Sequence, residues 1–121
     1  MEYHSLSQDK SGRHMEPFLI DVAPSEDGVD FVLSTHEGEE FIYVLEGILE
    51  INYGKNTYIL EEGDSIYYDS IVAHHVHAAA DNTAKILGVI YTPINLLPLW
   101  KYNYKTGHSA SGWSIGRNDT R

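Results

Sequence analysis

Cysteine is absent from the 121-residue sequence, which excludes disulfide bonds and catalysis by a thiolate. Basic residues are scarce as well: 8 Lys and Arg face 18 Asp and Glu, for a formal net charge of −10 with histidine neutral. Nucleic acids and anionic membrane surfaces are bound through basic patches, and this chain has none. We therefore expect neither a nucleic acid nor a membrane among its partners.

Long apolar runs are also missing from the sequence. No stretch approaches the roughly eighteen residues of a membrane-spanning helix, and the N-terminal residues show no signal-peptide core. We expect a cytoplasmic protein. The length fits one domain that is large enough to bury a hydrophobic core.

The sequence consists largely of short apolar runs separated by turns rich in Gly, Asn and Asp. Strands are predicted at residues 18–22, 30–35, 41–45, 48–53, 57–60, 65–68, 72–78 and 85–92. Short strands that recur about every ten residues are typical of an all-β sandwich or barrel.

The two ends of the chain differ from this middle part. Residues 1–14 are polar and show no period, which predicts an N-terminal tail, and the barrel domain is predicted at 15–97. Residues 98–121 form a C-terminal extension, expected to be either a mobile tail or ordered against a partner. The apolar, proline-broken stretch 93–100 could cover the barrel, lie in a dimer interface or simply pack in the core.

The first candidate site is the pair His36 and Glu40, which stand on either side of a predicted turn at Glu37 and Gly38. Residues an even number apart share a face of an extended chain, so both side chains could point inward. Imidazole with carboxylate is a common ligand pair for a borderline divalent metal. The alternative is that both are solvated residues beside a turn.

A second candidate is the histidine cluster His74, His75 and His77. Alternation places His74 on one face with Val72 and Val76, which predicts that His74 is buried and that His75 and His77 are surface residues. A single buried histidine is more often a hydrogen-bonded core residue than a ligand. Together with the first pair, however, it favours a metal site formed by His36, Glu40 and His74.

These motifs resemble those of the cupin superfamily, in its small single-barrel branch. Its first motif is represented by His36, Glu40 and Gly47, with three and six residues in the two gaps, and its second by residues 62–64 and His74. The resemblance covers about residues 17–92 and implies a double-stranded β-helix (jelly-roll) barrel with the site inside.

The sequence departs from the cupin pattern at three positions. Ser34 replaces the first histidine of the pattern, and Ala73 replaces the proline before the last histidine. Ala78 replaces the asparagine that follows the last histidine. The ligands that remain, two histidines and one carboxylate, leave open positions on a metal. This set resembles the iron site of the cupins that epoxidise hydroxypropylphosphonate. The amino-acid sequence around it also resembles that of cupin domains fused to helix-turn-helix regulators.

Three functions stay open from the sequence. The first is a metal-dependent enzyme of the non-haem oxygenase, epoxidase or isomerase type, with Fe(II) favoured and Zn, Ni or Mn possible. In that case Tyr67, Tyr68 or Tyr91 could donate a hydrogen bond to a substrate or an oxygen ligand. The second is a sensor or binding module for a small-molecule ligand, and the third is a metal-free barrel used for dimerisation.

Association is also predicted from the resemblance. Cupin barrels pair through a sheet edge, and the apolar stretch 93–100 would need cover. We therefore expect a homodimer in which residues 15–22 or the C-terminal segment cross between subunits.

Overall fold

The computed structural model describes residues 2–7, 9, 12, 14–24, 36–79, 81–92 and 113–120. These residues form nine strands and no helix, so the described part of the chain offers no helix that could cross a membrane. The strands are β1 (Glu2–Ser5), β2 (Met15–Val22), β3 (Glu39–Glu46), β4 (Leu49–Tyr53), β5 (Asn56–Leu60), β6 (Ser65–Asp69), β7 (His74–Ala78), β8 (Ala84–Tyr91) and β9 (Trp113–Gly116).

The strands form two antiparallel sheets that face each other. One has six strands in the order β1-β2-β8-β3-β6-β9, and the other has three in the order β5-β4-β7. A parallel bridge between Pro24 and Ala78, with a 3.0 Å hydrogen bond from the amide of Ala78 to the carbonyl of Ala23, ties the sheets together at one edge. The predicted all-β jelly-roll barrel is confirmed.

Strict alternation along the strands explains where the core lies. In β4, Leu49, Ile51 and Tyr53 are buried, while Glu50 and Asn52 between them point to the other face. The same period in the other strands fills the space between the sheets, and Ile42 and Val44 of β3 are buried there. The core residues are Ile20, Val22, Ile42, Val44, Leu49, Ile51, Tyr53, Leu60, Ile66, Tyr68, Ala78, Ala84 and Ile86, with Val72 and Val76 packed against them.

The turn after β3 carries the chain from one sheet to the other. Gly47 has a φ of 84°, and a Cβ atom there would lie 3.1 Å from the Cα of Ala84. A side chain at this position would therefore be both strained and crowded. Because of this turn β3 and β4, although adjacent in sequence, do not pair: β3 lies between β6 and β8, and β4 lies between β5 and β7.

The segment before the predicted barrel contributes a strand to the sheet. Residues Glu2–Ser5 form β1, which pairs antiparallel with β2, with Glu2 opposite Asp21 and Ser5 opposite Phe18. At the other end, β9 pairs with β6 of the same chain. The division into a tail, a barrel at 15–97 and an extension at 98–121 stays a prediction. The strand predicted at 30–35, which includes Ser34, and the stretch 93–100 lie outside the described residues.

Candidate metal centre

The candidate ligands come from three segments that the fold brings to one end of the barrel. Glu40 is the second residue of β3 and shares its inward face with Ile42, and His74 begins β7. His36 precedes the Glu37–Gly38 turn, where Gly38 has a φ of 122° and a Cβ atom would collide with the carbonyl oxygen of Tyr91. Glycine at this turn therefore lets the chain place His36 beside the barrel mouth.

The three predicted ligands converge on one point. Oε2 of Glu40 lies 3.0 Å from Nε2 of His36 and 3.1 Å from Nε2 of His74. One ligand atom from each residue lies within 4.8 Å of the other two, as the binding of a single ion requires. The His74 side chain is 5% exposed and that of His36 is 43% exposed, so the site opens toward solvent on the His36 side.

Hydrogen bonds and charge set the protonation of this cluster. Burial acts to raise the pKa of Glu40, but hydrogen bonds from His74, Ser70 and Tyr68 and the charge of His74 together lower it below 4.5. For His74, burial acts to lower the pKa, whereas hydrogen bonds to Glu40 and to the carbonyl of Val72, with the Glu40 charge, raise it above 6.5. The interaction of the two side chains therefore favours the ionised carboxylate and the protonated imidazole.

The tautomer of His74 suits a metal ligand. Its Nδ1 lies 2.7 Å from the carbonyl oxygen of Val72, to which it donates, so Nε2 is the nitrogen that faces Glu40 and His36. A divalent ion would replace the proton that Nε2 shares with the carboxylate. A backbone carbonyl that accepts the other ring N–H is the usual support of a metal-bound histidine. The donor set and its orientation therefore fit a borderline divalent metal such as Fe(II), Co(II) or Zn(II).

Two buried hydroxyl groups orient Glu40. The hydroxyl of Tyr68 donates to Oε1 at 3.0 Å, and that of Ser70 donates to Oε2 at 2.9 Å. Burial, the Glu40 charge and the hydrogen bond to it raise the pKa of Tyr68, so the phenol keeps its proton and remains a donor. Both side chains are fully buried. They restrict the carboxylate as second-shell partners restrict metal ligands.

Ser70 also fixes the turn that carries His36. Its amide donates to the carbonyl of Gly38 at 2.9 Å, and its carbonyl accepts from the amide of His36 at 3.0 Å. Sequence reasoning missed this residue. The available signal was the alternation of Ile66, Tyr68 and Ser70, which puts a polar side chain on the buried face just after β6.

A cavity of about 40 Å³ lies against Glu40 inside the barrel. Apart from Glu40 and the phenol of Tyr3, its lining is apolar: Ile20, Phe41, Ile42, Val76, Ile86, Gly88, Val89 and Ile90. Tyr3 packs edge-on against Phe18, with 5.4 Å between the ring centroids. Burial and the charge of Glu40 raise the pKa of Tyr3. The sequence could not show this contribution, because β1 lacks any period of its own.

The three tyrosines considered as hydrogen-bond donors are not equivalent. Only Tyr68 of these three reaches the cluster. Tyr67 and Tyr91 are 48% and 39% exposed on the outer face of the six-stranded sheet, and the Tyr67 hydroxyl donates to Glu39. Tyr67 and Tyr68 therefore point to opposite faces, as neighbours on a strand must.

The prediction that His75 and His77 are both surface residues is wrong for His77. His74 is buried as predicted, but His77 is only 9% exposed and is therefore not a surface residue. Its Nε2 lies 2.9 Å from Oε2 of Glu50, which β4 holds directly opposite. His75 is partly buried, and burial together with the charges of His77 and His74 lowers its pKa. The alternation rule gave the correct face for His77 but not its burial.

Comparison with solved structures shows likeness to HppE. An Fe(II) HppE in complex with substrate is 28% identical, with a TM-score of 0.64, over 74% of this chain and 52% of that one. The hydroxypropylphosphonic acid epoxidase from S. wedmorenis with fosfomycin gives 28% identity and a TM-score of 0.63, over 74% and 50% of the two chains. The chain thus spans about half the length of these proteins.

A conserved protein of unknown function from Streptococcus pyogenes shares the fold at 18% identity, with a TM-score of 0.61 over 76% of this chain and 74% of that one. No curated protein sequence matches the chain. The Cupin domain family matches residues 18–90, which is more than half of the chain. With the two antiparallel sheets and the cluster inside them, this match shows that the chain belongs to the cupin domain family.

Proposed function

We propose that His36, Glu40 and His74 bind one divalent metal ion, with Fe(II) as the favoured metal, and that the protein is a small non-haem oxygenase of the epoxidase type. The observation that carries the proposal is that one ligand atom from each of the three residues lies within 4.8 Å of the other two, at one end of the barrel. The likeness to HppE supports it, because those structures hold Fe(II) or, in a complex with Tris buffer, Co(II).

The proposed ligand set leaves part of the coordination sphere open. Two histidines and one carboxylate are typical of non-haem Fe(II) oxygenases, and the bound metal supplies redox chemistry with dioxygen at its open positions. His36 and His74 contribute neutral imidazoles, and Glu40 contributes the negative charge that selects a cation. Tyr68 and Ser70 hold the carboxylate in place, so that it does not have to reorganise when an ion binds.

The cavity indicates the kind of substrate. Its lining beside Glu40 is mainly apolar, and the residues that line it include no Lys or Arg. An anionic group away from the metal would lack a basic side chain to pair with there. We therefore propose a small substrate without strong negative charge, with an apolar part against Ile42 and Ile86.

Metal analysis of variants tests the site. Protein purified without oxygen and loaded with Fe(II) should bind one equivalent at this centre, and Glu40→Ala and His74→Ala should lose it. His14→Ala is the matched control, since His14 contributes its backbone carbonyl to Thr92 and lies outside the cluster. Equal Fe(II) binding by the parent and both ligand variants would refute the site.

Activity separates an enzyme from a binding module. Oxygen consumption by the Fe(II)-loaded protein with small alcohols, ketones and related compounds should depend on both Glu40 and His74. Ligand-induced thermal stabilisation without turnover would instead favour the sensor function.

The homodimer and the cytoplasmic location stay part of this proposal. Light scattering at micromolar concentration should give the mass of two chains. The mass of one chain at that concentration would contradict the homodimer.

A further inference from the structure

The outer face of the three-stranded sheet carries a block of four polar side chains. In the register of β4 with β7, Glu50 lies opposite His77 and Asn52 lies opposite His75. All four point away from the barrel interior, because their neighbours Leu49, Ile51, Val76 and Ala78 occupy the inner face. The block is therefore separate from the centre formed by His36, Glu40 and His74.

We call His75 and His77 the outer histidine pair. Their Nδ1 atoms share a hydrogen bond of 3.1 Å, and the ring centroids are separated by 5.1 Å. A divalent ion bound to both nitrogens would replace the proton of this bond. Two nitrogen ligands of a tetrahedral zinc ion, each bound at about 2.0–2.1 Å, lie about 3.3–3.4 Å apart. The spacing of the pair is thus close to that of two ligands on one ion.

Glu50 sets the tautomer of His77. A neutral His77 that donates its Nε2–H to Oε2 of Glu50, 2.9 Å away, keeps the lone pair on Nδ1, the atom that faces His75. A carboxylate that accepts the distal N–H of a histidine is the usual second-shell partner of a metal-bound imidazole. His77 is also well buried, with a side-chain exposure of 11%, so its ring orientation is restricted.

Asn52 gives a second, independent observation. Its Nδ2 donates to the hydroxyl of Thr57 at 3.0 Å. Its Oδ1 is buried and has no hydrogen-bond partner within the part of the chain that the structure describes. A buried acceptor without a partner is costly unless an ion or a water molecule meets it. This oxygen belongs to the residue directly opposite His75.

We infer that the outer histidine pair forms a second divalent-cation site. The ligands are Nδ1 of His75 and Nδ1 of His77, and Glu50 holds the His77 ring. Asn52, which is opposite His75 in the strand register, is the candidate for an additional oxygen ligand. Two imidazoles with a neutral oxygen suit a borderline ion such as Zn(II) rather than the hard ions Mg(II) or Ca(II). Water would complete the coordination.

Zinc titration of paired variants tests this site. The parent chain should bind two equivalents of Zn(II). His75→Gln and His74→Ala should each bind one equivalent, and the variant with both substitutions should bind none. Glu50→Gln should keep two sites but weaken the outer one about 10–100-fold, as loss of a second-shell partner does. His4→Gln is the control, because it changes the exposed cluster of Glu2, His4 and Asp21 and should leave both equivalents.

The outcomes distinguish this site from the proposed function. Loss of one equivalent in His75→Gln supports the outer site even if His74→Ala binds as much metal as the parent. Full zinc binding by His75→Gln, or loss of the second equivalent in His4→Gln instead, would overturn it. Circular dichroism should show the same β-sheet signal for all variants. Should His75→Gln fail to fold, the affinity of Glu50→Gln decides, and an unchanged affinity there counts against the site.

Discussion

The hydroxyl of Ser70 donates a 2.9 Å hydrogen bond to Oε2 of Glu40, the same oxygen that both histidine rings approach. Ser70 also holds the backbone of the turn that carries His36. One buried residue therefore positions two of the three proposed ligands, although it is not a ligand itself.

Replacing Ser70 by alanine should weaken metal binding while the barrel remains folded. Glu40 would lose one of its orienting donors, and loss of such a partner typically lowers metal affinity about 10–100-fold. Titration with Fe(II) under anaerobic conditions, or with Co(II), measures the change. Ser114→Ala is the control because Ser114 is exposed on β9. Affinity equal to that of the parent would show that the hydroxyl does not position Glu40.

Part of this arrangement could be predicted from the sequence. Strict alternation predicts the inward direction of Glu40 and His74, since the face of a strand residue depends only on its position in the period. The spacing of the cupin motifs predicts in addition that His36, Glu40 and His74 belong to one site.

Other parts depend on pairing between distant strands, which local patterns do not encode. β1 is short and polar, and only its register with β2 brings Tyr3 to the cavity. His77 is buried beside Glu50 because β4 and β7 are neighbours, which alternation within β7 cannot show. Ser70 becomes part of the site only through its backbone bonds to residues 36 and 38.

Two adjacent tyrosines allow a matched test of the second donor to Glu40. Tyr68→Phe removes a buried hydrogen bond to an ionised carboxylate and should lower the free energy of unfolding by about 1.5–3 kcal/mol. Tyr67→Phe removes the bond to Glu39 at an exposed position and should change it by less than about 1 kcal/mol. Urea denaturation of the metal-free protein measures both. Equal effects would indicate that burial does not distinguish the two hydroxyls.

The stability of the metal-free protein should depend on pH through His74 and Glu40. The raised pKa of His74 gives a contribution that is complete below pH 6.5 and is lost as the pH rises through the folded-state pKa. The lowered pKa of Glu40 gives one that is present above pH 4.5 and is lost as the pH falls through its folded-state pKa. Both contributions are therefore present between pH 4.5 and 6.5.

Urea midpoints measured across pH should show this maximum, and His74→Gln should remove the decline on its alkaline side. His14→Gln should keep the profile of the parent. Metal affinity should rise with pH until the pH passes the folded-state pKa of His74, because below that pKa the ion competes with the proton on His74. A pH-independent affinity would mean that His74 is not a ligand.

Asp64 provides the last prediction, because it ties the C-terminal segment to the barrel. Its carboxylate is fully buried and accepts from the amides of Glu61 and Asn118 at 2.8 and 2.7 Å and from Nη1 of Arg117 at 3.1 Å. Asp64→Ala would leave two amides without an acceptor and should lower the free energy of unfolding on the order of 3 kcal/mol. Lys85→Ala, an exposed change in β8, should stay within about 0.5 kcal/mol.

Arg117→Ala separates the role of the Arg117 side chain, which also donates to the carbonyl of Ile59 at 2.7 Å, from that of the two amide bonds. The Arg117 side chain is 48% exposed, so solvent screens its ion pair with Asp64, and the two amides still neutralise part of the carboxylate charge. The loss should therefore be smaller than for Asp64→Ala, and added salt should reduce it further. Urea denaturation at low and high salt measures both variants. If Arg117→Ala is as destabilising as Asp64→Ala at either salt concentration, the Arg117 side chain rather than the amide bonds anchors the C-terminal segment.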